Sequence, residues 1–210
     1  MKMIFVLLIT SLVCGKVQGS DQSLKVPKNA LKVPLVAQTT DYTCGVASLT
    51  SVLYYYNLIE YGEMDLAKIA HSDPKEGTSP QNIVKTAKKI GFKALYRENL
   101  TIQDLKNSLA NKIPVIVDIQ AWYGSEVKDW KKIWNSGHYV VAIAVDSQNI
   151  YFMDPSFPSY YGFIPHQEFL DRWHDFDTIK GKKVVNQNAG IFIWGKEPRK
   201  VLYEEARKIE

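Results

Sequence analysis

The chain has 210 residues, 46% of them hydrophobic and 23% charged, with a formal net charge of +4. That is enough apolar material for the core of one ordinary domain or a compact two-lobed one, and it excludes a disordered or fibrous chain. The charge is too small for a nucleic-acid partner, and no Gly-rich phosphate loop, basic-aromatic pattern or 20–50-residue repeat is present.

The chain opens MKMIFVLLITSLVCGKVQGS. A basic residue, an apolar run over residues 4–13 and small residues up to Gly19 predict a secretory signal peptide over residues 1–19. The run is short of the roughly 20 residues a bilayer span needs, so no membrane span is expected after cleavage. The protein is therefore expected to be exported, periplasmic or extracellular. Lipid anchoring through Cys14 is the alternative, although Ser11-Leu12-Val13 fits that signal poorly. Cleavage removes Lys2 and Lys16, so the formal charge falls by two, from +4 to +2. It also removes Cys14 and leaves Cys44 as the single thiol. A lone cysteine in an oxidising compartment invites damage, so its retention points to use; an inert buried thiol is the bland alternative.

Residues 20–32 are polar and Lys-rich and are expected to form a flexible N-terminal arm. Thr43 is placed to cap a helix that runs to about Asn57, with Ala47, Leu49, Val52, Leu53 and Tyr56 as its apolar pattern. A short helix is expected over residues 65–70. Ser79-Pro80 marks a third start, with Ile83, Val84, Ala87 and Ile90 inward and Gly91 as its stop. Thr101 and Asp104 resemble a capping box ahead of Leu105 and Leu109.

The second half changes period. IPVIVDI, YVVAIAV, NIYFM and GIFIW read as strands. YVVAIAV is apolar on both faces and is expected to be a central strand covered on both sides. Residues 166–173 read as a short amphipathic helix, and residues 197–210 as a charged, helical tail. The expected class is α+β, an N-terminal helical subdomain packed against an antiparallel sheet with a cleft between them.

Cys44 sits where a helix begins. An unperturbed thiol is only about 3% thiolate at neutral pH, and a helix N-terminus supplies at most about 2 kcal/mol toward ionising it. A cationic partner must supply the rest, and an imidazolium is the expected one. Of His71, His138, His166 and His174, His138 is preferred. It immediately precedes YVVAIAV, which Asp146-Ser147-Gln148 joins to NIYFM as a hairpin. Asp154 ends the second strand of that hairpin, opposite His138 to within about one residue of register. A carboxylate there would orient the imidazole and stabilise its charge. Gln38, just upstream of the helix, is placed to donate to an oxyanion beside the Cys44 N–H. Gly45 leaves room for a substrate backbone. Thr78, in the loop over residues 73–80, is a candidate for the opposing lip. Trp122 and Gly137 belong to the aromatic-rich approach to His138, with Tyr123, Trp130 and Trp134 as further rim or sheet-covering residues. His166, His174, Asp175 and Asp177 lack metal-ligand spacing, so no metal is expected.

VPLVAQTTDYTCGVASL, SGHYVVAIAV and YFMDPS resemble the papain-like cysteine peptidases of the bacteriocin-processing (double-glycine leader peptidase-like) type. GTSP, NLTIQDLKNSLANKIPVIVDIQAW and FLDRW resemble its free-standing exported members. The resemblance implies a peptidase domain over residues 33–196. It also implies a Cys44–His138–Asp154 triad with Gln38 in the oxyanion hole, no cofactor, and a peptide or protein substrate. The best-known relatives cut after a Gly-Gly leader at the cytoplasmic end of export transporters; this chain has no transporter segment, so that substrate is not carried over. Transpeptidation or amide hydrolysis by the same acyl-enzyme, and a non-catalytic peptide-binding module, are the alternatives. The sequence leaves the oligomeric state open.

Overall fold

The structure is a computed structural model that describes residues 23–123, 129–179, 181–195 and 205–208. The expected signal peptide lies outside the described residues. In chain order the elements are β1 (Ser23–Lys25), α1 (Cys44–Tyr55), α2 (Glu63–Ile69), α3 (Pro80–Lys89), β2 (Lys93–Arg97), α4 (Ile102–Ala110), β3 (Val115–Gln120) and β4 (Gly137–Val145). There follow β5 (Asn149–Met153), β6 (Tyr161–Pro165), α5 (His166–Arg172), β7 (His174–Ile179), β8 (Lys182–Gln187), β9 (Gly190–Trp194) and β10 (Glu205–Lys208).

Eight strands form one sheet in the order β1-β10-β6-β5-β4-β3-β9-β2, while β7 and β8 form a separate hairpin. Every pairing is antiparallel except that of β10 with β6. The central strand β4 lies between β3 and β5. Val46, Leu49, Val52 and Leu53 of α1 join Val141 and Ile143 of β4 in one core. Leu105 of α4 and Phe169 and Trp173 of the α5 region join Val140 and Ala142 in the other. The alternate side chains of YVVAIAV thus enter two cores, which is why the strand is apolar on both faces. The fold is α+β, with α1 and α3 packed on a largely antiparallel sheet.

Local chemistry sets the helix ends. Ser79 Oγ accepts the Asn82 N–H at 3.3 Å at the start of α3, ahead of Pro80. Beyond its end, Gly91 adopts φ +94, which a residue with a Cβ strongly resists. Thr101 and Asp104 form the capping box of α4: the Thr101 N–H donates to Asp104 Oδ2 at 2.8 Å, and the Asp104 N–H to Thr101 Oγ1 at 3.2 Å.

Two expectations need correction. From residue 23 on, the arm is docked, not flexible: β1 pairs with β10, Ala30 and Leu31 are buried, and the Leu31 N–H donates to the Ile143 carbonyl at 2.9 Å. The lysines on either side conceal an Ala-Leu pair that enters the core. In the tail, residues 205–208 are a strand, not a helix. Their helix-forming composition yields to the two open ladders of β1 and β6, between which they lie. Residues 196–204 and 209–210 lie outside the described residues.

Candidate active site

Cys44 is the first residue of α1 and is partly exposed. Thr43 occupies the N-cap position, but its side chain makes no capping bond; Oγ1 instead exchanges hydrogen bonds with Thr40, accepting its N–H and donating to its carbonyl, each at 3.1 Å. The expected Thr43 cap is therefore absent. The hydroxyl is engaged upstream, and the backbone donors of the first turn are not covered by it. Such a turn is suited to an anion.

His138 enters from β4 and is 1% exposed; Asp154, just after β5, is 0% exposed. His138 Nε2 lies 2.8 Å from Asp154 Oδ1. The hairpin does not place the two directly opposite. Val141 faces Met153 and Ala142 faces Phe152, so His138 lies three residues beyond the last paired position of β4 and Asp154 only one beyond that of β5. The side chains meet along a diagonal.

Burial alone would lower the imidazole pKa. The charge and hydrogen bond of Asp154, joined by a hydrogen bond and charge interaction with Cys44, outweigh it and push the group from 6.5 up to about 10. Cys44 is thus near enough to the imidazole to act on its charge. With Nε2 on Asp154, Nδ1 is the ring nitrogen left for sulfur.

Gln38 is half-buried. Its backbone N–H donates to the Pro155 carbonyl at 2.9 Å, and its Nε2 to the Thr40 carbonyl at 2.9 Å. Ser156 links these parts. Its N–H donates to Asp154 Oδ1 at 2.8 Å, its hydroxyl donates to Gln38 Oε1 at 3.2 Å, and the same oxygen lies 3.5 Å from His138 Nε2. Sequence reasoning missed Ser156. The signal was present in Asp154-Pro155-Ser156, an Asx-turn in which a carboxylate accepts the N–H two residues on.

The four candidate cleft residues separate. Trp122 is 49% exposed, with φ +73, and its ring centroid lies 4.6 Å from that of His138. It covers the imidazole from solvent. Gly45 offers no room to substrate and is corrected here: it is buried, and a Cβ at this position would meet Tyr139 Cδ2 at 3.1 Å and Ile83 Cδ1 at 3.2 Å. The second position of α1 turns toward the sheet, not toward the cleft. Thr78 is buried beneath it, bonded to the Ser72 hydroxyl at 2.6 Å, and is not a lip residue. Gly137 is exposed, but a Cβ there would fall on the Asp175 carboxylate. Its lack of a side chain admits that carboxylate.

Of the other aromatic candidates, Tyr123 is exposed and Trp130 is buried under the Arg172 guanidinium, which lies 4.2 Å from its ring. Trp134 packs on His174, whose Nε2 lies 2.8 Å from the Ile133 carbonyl.

Asp118, which the sequence reading did not single out, lies among buried carboxylates with Asp175 and Asp177. Burial, then repulsion from Asp175, raises the Asp118 carboxyl well above the usual range. Burial raises Asp175 and Asp177 as well. Gln120 Nε2 donates to Asp175 Oδ1 at 3.1 Å and holds it against Gly137. Among the described residues, no group of three or more His, Cys, Asp and Glu side chains could hold a metal ion. No helix among them is long and apolar enough to cross a membrane.

A model of the Peptidase_C39-like family matches residues 30–180. Among solved structures, the chain is similar to a C39-like peptidase from Bacillus anthracis, at 21% identity and TM-score 0.56 over 83% of this chain and 100% of that one. It is similar to the peptidase domain of Streptococcus ComA, a bi-functional ABC transporter of a quorum-sensing pathway, at 21% identity and TM-score 0.52 over 80% and 99% of the two chains. A third is a double-glycine-motif protease from an AMS/PCAT transporter in complex with the leader peptide, at 22% identity and TM-score 0.51 over 83% and 98%. At these identities the likeness shows the fold alone. No curated protein sequence matches the chain.

Proposed function

Because the chain belongs to the Peptidase_C39-like family, and is thus a cysteine-type peptidase, we propose that it hydrolyses peptide bonds of a peptide or protein through Cys44, His138, Asp154 and Gln38. The observation that carries this reading is the buried His138–Asp154 pair at 2.8 Å, its imidazole pKa pushed up to about 10 by Asp154 and, after it, Cys44 at the start of α1.

In the proposed reaction the Cys44 sulfur, its proton on His138, attacks the substrate carbonyl carbon. The π pair moves to oxygen, and the oxyanion is met by the Cys44 N–H and a Gln38 amide hydrogen. An amide nitrogen carries two hydrogens, and the Thr40 carbonyl takes one of those on Gln38. Each such donor is worth roughly 3–4 kcal/mol in the transition state. Collapse breaks the C–N bond, and His138 gives its proton to the leaving amine. Water then loses a proton to His138 as its oxygen adds to the thioester carbon. Breaking the C–S bond releases the acid and restores the ion pair. Asp154 keeps the ring oriented throughout, and Ser156 ties Asp154 to Gln38.

Export through the amino-terminal apolar segment is part of the same proposal, and a thiol of this kind needs a reductant in vitro. A mixed peptide library incubated with the reduced protein tests it. New termini are expected with wild type and not with Cys44→Ala. Equal cleavage by both, or none by wild type, contradicts the assignment.

A further inference from the structure

At the opposite end of α1 from Cys44 lies a cavity of about 760 Å³. Its floor is apolar: Leu31 from the docked arm, Leu109 from α4, and Ile143 at the irregularity of β4 between Ala142 and Ala144. Its polar wall carries Lys28, Lys32, Lys106 and Lys112, and no acidic residue lines it. Lys32 and Lys106 are half-buried, and among the described residues none of the four lysines forms an ion pair. Lys112 is fixed in place. Its backbone is left-handed at φ +58, and its carbonyl accepts the hydroxyls of Tyr55 and Tyr56 at 3.2 and 3.3 Å.

Four like charges gathered around an apolar floor repel one another, and an anion between them would relieve that repulsion. The volume falls in the range of small-molecule sites, roughly 300–1,000 Å³. The site is separate from the chemistry, because five residues of strand from His138 to Ile143 span about 17 Å. We infer that this cavity binds an amphiphilic carboxylate, its apolar body on Leu31, Leu109 and Ile143 and its carboxylate among the four lysines. A free acyl chain and the C-terminus of an apolar peptide share that chemistry.

Calorimetric titration of the full chain distinguishes them. The probes are decanoate against decan-1-ol, and acetyl-Leu-Phe-Leu with a free against an amidated C-terminus. Saturable one-to-one binding of decanoate or the free-acid peptide is expected, at least about tenfold tighter than its neutral counterpart. Whichever acid binds identifies the source. Lys106→Gln/Lys112→Gln should weaken binding at least about tenfold, and Lys88→Gln/Lys89→Gln, the same charge change on exposed positions of α3, should not. Should the first double variant fail to fold, rising salt on wild type must weaken the acid and spare the alcohol. Equal binding of charged and neutral probes, full binding by Lys106→Gln/Lys112→Gln, equal loss in the control pair, or no saturable binding of either acid would overturn the inference.

Discussion

Asp154→Asn should detach the charge of His138 from the site while leaving a hydrogen-bond acceptor in place. In the wild-type protein the imidazole is pushed from 6.5 up to about 10, against a burial effect that acts the other way. That difference corresponds to an interaction on the order of 5 kcal/mol, of which Asp154 supplies the leading share. Without the carboxylate, burial opposes only the weaker contribution of Cys44, and the midpoint should fall to the ordinary histidine range or below. The assay is the pH dependence of the His138 Cε1–H resonance, assigned by its loss in His138→Gln. Wild-type His138 should keep its protonated shift throughout the neutral range and titrate only near pH 10; in Asp154→Asn it should titrate at or below about 6.5. An unchanged midpoint in the variant, or a wild-type midpoint in the ordinary range, would refute the reasoning.

The same shift has a stability consequence. A group whose folded pKa is raised contributes stability that is complete below its unfolded value, near 6.5, and is lost as pH rises through about 10. Urea midpoints of wild type should therefore decline across that window, and those of Asp154→Asn should decline less. The Asp118 carboxyl is also raised, so its contribution is present at acid pH and is lost as pH climbs above the usual carboxylate range. Asp118→Asn should exceed wild type in stability at pH 8 by urea denaturation, with no gain at pH 4. Trp122→Ala should open the His138–Asp154 pair to water and lower the His138 midpoint by NMR; an unmoved midpoint would mean that the indole is only a neighbour. Gly45→Ala should cost about 1–2 kcal/mol in urea denaturation, because the new methyl presses on Tyr139 and Ile83.

What the sequence disclosed was local or strongly periodic. The Cys44 helix start, the Ser79-Pro80 start, the Thr101–Asp104 box and the doubly apolar β4 each follow from neighbours within a few residues. The β4–β5 hairpin was legible from its turn and carried His138 toward Asp154, although the two-residue diagonal offset was not. The irregularity that admits the Leu31 N–H to Ile143 leaves no mark in YVVAIAV. What escaped depended on partners far away in the chain. β8 reads KKVVNQ, nearly all exposed, and is a strand because β7 pairs with it. β10 is a strand because β1 and β6 leave it a slot. Asp118 lies inside IPVIVDI, and only the fold brings Asp175, 57 positions later, against it. Gly45 was assigned to substrate because it follows Cys44, whereas helical geometry turns its Cα toward the sheet.

The central claim is that Cys44 and His138 act as one charged pair. Labelling of the reduced protein with a thiol-directed peptide electrophile, read by intact mass across pH 5 to 8, tests it most directly. The account predicts a single adduct on Cys44, formed faster than in His138→Ala throughout that range. In His138→Ala the rate should drop at least about tenfold at the acid end of the range. Identical rate profiles for the two proteins would contradict it.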